Sequence, residues 1–180
     1  MNKFVKLPLF LGLTCLVFGG MLAGVVALTE PVIQKAKEEK LNAVYKNLYN
    51  DESATKVKEI KLADGHNEKI LELVTVNHSD EISAVYKLKS KSTYEQMIFY
   101  VGISTSSKVV DGYYSLETNT TSLGYNQFKN NESVSELMSG YDGSGDLVIA
   151  GVTYTSKGVT EAIKEAFNDF NKRPSTDWGE

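Results

Sequence analysis

Residues 69–90 read KILELVTVNHSDEISAVYKLKS. Two runs, 69–77 and 82–90, are rich in Val, Ile, Leu and Tyr, and a short gap containing Ser and Asp divides them. β-Branched and aromatic residues suit a pleated, half-buried surface, and turn formers between two such runs end one strand and begin the next. Three more runs share this character: VKEIKLA at 57–63, QMIFYVGIS at 96–104 and KVVDGYYSL at 108–116. No gap between them holds the helical crossover that parallel strands need. The sheet is therefore expected to be antiparallel.

Beyond the sheet, residues 147–172 read LVIAGVTYTSKGVTEAIKEAFNDFNK. From about Ser156 to Asn171, the residues Val159, Ile163, Ala166, Phe167 and Phe170 recur at helical spacing. That is the stripe of a helix laid on a sheet. The expected fold class is α+β, a mainly antiparallel sheet with a packed C-terminal helix, preceded by one transmembrane helix and a stalk.

The membrane segment is residues 7–28, LPLFLGLTCLVFGGMLAGVVAL, which carry no charge. At about 1.5 Å per residue this length crosses a hydrocarbon layer of about 30 Å. A cleaved signal peptide is the rival reading, but its apolar region is usually about 7–15 residues and ends at a small-x-small site that is missing here. Lys3 and Lys6 before the span and Glu30 just after it favour a cytoplasmic N-terminus and an extracytoplasmic domain. Gly20 and Gly24 form a G-x-x-x-G pair of the kind that lets membrane helices approach one another. Val32, Ile33, Ala36, Leu41, Val44 and Leu48 then recur at helical spacing, with Pro31 near a helix start, as expected of a stalk. The expected organisation is a cytoplasmic terminus at 1–6, the membrane helix at 7–28, the stalk at 29–50, a domain at 51–172 and a mobile tail at 173–180 that contains Trp178.

Composition excludes several classes of function. The net charge of −4 leaves no basic patch for a nucleic acid. One Cys and two His residues, with no ligand spacing among them, make a protein-held zinc or iron–sulfur site improbable, and one Cys forbids an internal disulfide.

Thr153, Thr155 and Ser156 crowd the start of the last helix, followed by Lys157. Backbone N–H groups at a helix start lack partners, and the macrodipole places partial positive charge there. The ordinary use of such a hydroxyl is as a cap. The same environment suits a phosphate.

The stretch AGVTYTS at 150–156 resembles the S-G-A-T-x-T-S motif of the FMN-binding domain in the G subunit of Rnf electron-transport complexes and the C subunit of Na⁺-pumping NADH:quinone reductases. In that family the second Thr carries FMN through a phosphoester placed by a dedicated flavin transferase. Gly151 and Thr153 match, Thr155 falls on the flavinylated position and Ser156 matches the residue after it, whereas Ala150 and Val152 replace Ser and Ala. The family's acidic residue three before the motif is Leu147 here, with Asp146 one place earlier. NTTSLG at 119–124 is similar to the family's E-T-P-G-L-G loop at Thr120, Leu123 and Gly124, and FYVGISTSSKVVDGYY is similar to the strand–turn–strand before it. The N-terminal helix, its T-x-P step and its Lys/Glu-rich continuation also resemble the G-subunit anchor.

The resemblance implies FMN esterified to Thr155, its phosphate near Thr153 and Ser156, and its ring against Leu123 and Gly124 of the 120–124 loop. It further implies electron relay beside other Rnf membrane subunits, coupled to Na⁺ or H⁺ export, with a flavin transferase as maturation partner and the lipid bilayer as support. No catalytic acid–base set is expected. Two alternatives stay open: a stand-alone anchored FMN carrier, and a flavin-free binding or assembly module of the same fold.

Overall fold

The computed structural model describes residues 3–62, 65–91, 96–116, 123–129 and 131–178. Helix α1 is continuous from Lys3 to Tyr49. The chain divides into two compact units, Met1–Leu41 and Asn42–Glu180.

In the first unit, α1 leaves Phe10, Leu16, Phe18, Leu22 and Leu28 more than 60% exposed. The helix is long and apolar enough to cross a membrane. Its hydroxyls are satisfied within the helix: Thr14 Oγ1 donates to Phe10 O (2.5 Å) and Thr29 Oγ1 to Val25 O (2.8 Å). Such back-bonding removes polar groups that hydrocarbon could not solvate. Nothing lies within 4 Å of a Cβ built at Gly20 or Gly24, so that face of the helix is open. Pro31 does not start a helix, as its position suggests, because the turns run through it unbroken.

In the second unit five strands form an antiparallel meander in sequence order: β1 Thr55–Glu59, β2 Ile70–His78, β3 Glu81–Lys91, β4 Gln96–Ser104 and β5 Val110–Ser115. The α+β class, the antiparallel sheet and the terminal helix stand as the sequence reads. β2 and β3 join through a two-residue turn, Ser79 and Asp80, both in the left-handed region at φ 47° and 64°. That pair of angles is the turn whose twist matches flanking strands. β1 begins two residues earlier than its apolar run, with Thr55 and Lys56 paired to Asn77 and Val76, and the register then slips between Lys56 and Lys58, leaving Val57 as the bulged, exposed residue.

Pleating sends alternate residues to opposite faces of the sheet. One face carries Leu73, Tyr86, Leu88, Phe99, Val101, Ile103 and Tyr113, all buried against Val159, Ala162, Ile163, Ala166 and Phe167 of α4, Thr153–Lys172. The other face receives the last turns of α1, where Tyr45 meets Tyr100 edge to face at 6.4 Å. Glycines permit this approach. A Cβ on Gly112 would stand 3.0 Å from both Leu48 and Tyr49, and one on Gly102 would stand 2.2 Å from the Tyr49 hydroxyl.

Two short helices, α2 Leu123–Lys129 and α3 Asn131–Met138, lie between sheet and α4 in the chain and place Phe128, Val134 and Met138 in the core. The expected mobile tail is also corrected. Ser175–Trp178 form a 3-10 turn, and Trp178 is buried in a stack on Phe170 with centroids 4.8 Å apart. An indole covers too much apolar area to be left in water when a ring of α4 is within reach.

Candidate functional site

The candidate site is the loop before α4 and that helix's first two turns. Gly151 has φ +83°, a left-handed step that only glycine takes without strain, and it turns the chain into Val152, the residue that precedes the helix. Val152 N–H closes a turn on Ile149 O at 3.2 Å. α4 begins at Thr153, three residues before the apolar stripe suggests, so Thr153, Thr155 and Ser156 all lie inside the helix. No side chain caps it.

The hydroxyls have different occupations. Ser156 Oγ donates to Val152 O (3.0 Å) and accepts from Ile149 N–H (3.1 Å). Thr160 Oγ1, one turn on, accepts from Leu147 N–H (3.1 Å) and lies 2.8 Å from Ser156 O and 3.2 Å from Leu147 O, with one proton to donate between them. Together they fasten residues 147–149 to the helix. Thr155 is 7% exposed, yet its hydroxyl makes no hydrogen bond among the described residues. Thr153, Tyr154 and Lys157 face solvent, Tyr154 at 72% exposure.

Leu147 is buried in the core. Asp146 beside it points outward to an ion pair with Lys164 at 2.8 Å, and the hydrogen bond from that ammonium holds its carboxyl below the usual range. The two neighbours therefore serve opposite sides of the loop.

Of the second half of the expected site, Thr120 lies outside the described residues. Leu123 and Gly124 fall in the first turn of α2, and α2 packs against α4. The chain thus brings the two motif-bearing helices into contact.

A second polar cluster lies on the other face of the sheet, and no sequence spacing announces it. Tyr49, the last residue of α1, stacks on His78 with centroids 3.6 Å apart and planes 12° from parallel. His78 Nε2 is 3.0 Å from Ser83 Oγ and 3.4 Å from Asp111 Oδ2, while Ser83 Oγ donates to Asp111 Oδ2 in a short hydrogen bond. Asp111 is the extra residue of a bulge, since Gly102 pairs with Gly112 and Ile103 with Val110. Burial pushes its carboxyl above the ordinary value, against the stabilising hydrogen bond from Ser83 and the charge of His78. The residues come from positions 49, 78, 83 and 111, which only the folded register assembles. No protein-family model matches the chain, and no curated protein matches it.

Proposed function

We propose that Thr155 is the attachment point of FMN and that the protein is a membrane-anchored flavoprotein subunit of an Rnf-type ferredoxin:NAD⁺ oxidoreductase that exports Na⁺ or H⁺. The observation that carries this reading is the unengaged hydroxyl. Ser156 and Thr160 are committed to the fold, and Thr155, at the position that resembles the flavinylated Thr, is not. The uncapped start of α4 adds unsatisfied N–H donors and the positive end of a helix dipole, which suit a phosphoester.

FMN, when bound, would supply reversible electron transfer, and the chain would set its position and electrostatics. Thr155 Oγ1 would hold the phosphoryl group, Thr153 and Lys157 would face it from the solvent side, and α2 would supply the wall carrying Leu123 and Gly124. A tether keeps a cofactor at high effective concentration where a dissociated one would be lost. α1 would anchor the domain, with the N-terminus in the cytoplasm and the domain outside it.

The test is Thr155→Val, an isosteric change that breaks no described hydrogen bond. Co-expressed with a flavin transferase, the variant should lose in-gel flavin fluorescence while Thr153→Val keeps it. Persistent fluorescence in Thr155→Val would remove the assignment. The low exposure of Thr155 favours a second reading, a flavin-free binding or assembly module. That reading expects no fluorescence from the wild-type chain either. A stand-alone FMN carrier would differ in having no genes for other Rnf subunits beside its own.

A further inference from the structure

The cluster where α1 ends on the sheet is a set of partly buried ionisable groups that the flavin reading does not use. Its members face one another from four elements: Tyr49 from α1, His78 from β2, Ser83 and Glu81 from β3, and Asp111 from β5. Glu81 is turned away into hydrogen bonds from Ser104 and Ser106, which hold its carboxyl below the usual range. Asp111 therefore has the His78 imidazole as its neighbour, 3.4 Å away. Two oxygens in the cluster, Tyr49 Oη and Asp111 Oδ1, are buried with no hydrogen-bond partner, and both crowd the backbone at Gly102.

Charge decides how firmly these groups hold together. With one proton on the His78–Asp111 pair beyond that of neutral imidazole and carboxylate, the cluster is either an ion pair or a pair of neutral groups. With that proton gone, a desolvated carboxylate is left with the Ser83 hydroxyl as donor and a neutral imidazole beside it. Burying an uncompensated charge is unfavourable, whichever of the two groups had carried the proton. The protein then gains by withdrawing Tyr49 and letting water reach Asp111. The same two residues, Tyr49 and Asp111, line a cavity of about 760 Å³ between the end of α1, β5 and α3. Its lining also holds the phenols of Tyr113 and Tyr114 and the carboxyl groups of Glu132 and Glu136, which add negative potential, and includes no basic side chain.

We propose that the junction between the end of α1 and the sheet is a proton-operated latch, closed by one proton shared between His78 and Asp111 under the ring of Tyr49, and released when that proton is lost. Release frees the last turn of α1 from β5 and opens the cavity beside it. The latch is independent of any flavin at Thr155, which lies on the helix covering the opposite face of the sheet.

Its test is an NMR titration of the full chain in detergent, with ¹³C at histidine Cε1. His66→Gln assigns the two signals. The ring of Tyr49 at 3.6 Å should shift the His78 signal upfield, and Tyr49→Leu should abolish that shift at every pH. In the wild type, titrated from about pH 4 to about pH 9, the upfield shift should disappear as pH rises, with the closed-to-open ratio falling about tenfold per pH unit for one linked proton. Asp111→Asn removes the buried charge, so its His78 signal should stay upfield throughout. An upfield shift that persists in the wild type across this range, or an Asp111→Asn profile that follows the wild type, would overturn the latch. Far-UV circular dichroism shows that each variant is folded, and Thr155→Val should titrate like the wild type.

Discussion

At the residue scale, three hydroxyls within two turns of α4 have separate fates. Ser156 and Thr160 each accept a backbone N–H from the 147–149 segment. Removing either acceptor leaves a buried donor without a partner, at about 1–3 kcal/mol. Ser156→Ala and Thr160→Val should therefore each lower stability by about that amount in urea unfolding, whereas Thr155→Val should change it by less than about 0.5 kcal/mol. Asp111 makes a prediction of opposite sign. Its folded pKa is raised above the unfolded value, so the folded chain holds that proton more tightly than the unfolded one. Stability is then greatest below the unfolded pKa and is lost as pH rises through the folded one. Asp111→Asn should raise the melting temperature at pH 8, by the equivalent of about 1 kcal/mol, and the gain should vanish by about pH 4. The proposal of Thr155 comes from the resemblance of its surroundings to a motif. The work of Ser156 and Thr160 was not, because it depends on how the preceding loop folds back.

At the scale of elements, alternation and β-branching located all five strands, since a half-buried strand writes its period into the sequence. Bulges were not legible. Val57 and Asp111 fit their runs as well as any neighbour, and only pairing reveals which residue is left over. α2 and α3 were missed because residues 123–138 are mostly polar and, among the described side chains, give the core Phe128, Val134 and Met138, too few for a stripe. The tail was misread for a related reason, a single indole among polar residues. Trp178 stacks on Phe170, and Arg173 joins the turn to α4 through Asp169 at 2.5 Å, which also accepts from Tyr86 at 3.0 Å. Trp178→Ala should cost about 3 kcal/mol, read as a lower urea midpoint with unchanged slope.

At the scale of the whole molecule, one apolar helix and one folded unit divide the labour. An uncharged stretch of membrane length is the most legible signal in the chain, because hydrocarbon tolerates so few sequences. The protein should stay with the membrane pellet after a high-salt or carbonate wash and leave it only with detergent; appearance in the wash would contradict the anchor. The proposed redox role rests only on resemblance at residues 119–124 and 150–156. A covalent flavin leaves no trace in periodicity or composition, so chemistry must decide. The most direct measurement is the intact mass of the native protein, extracted with detergent from cells that make a flavin transferase. A mass greater than the polypeptide by one esterified FMN, lost in Thr155→Val, is the expected result. A mass equal to that of the amino acids alone would contradict it.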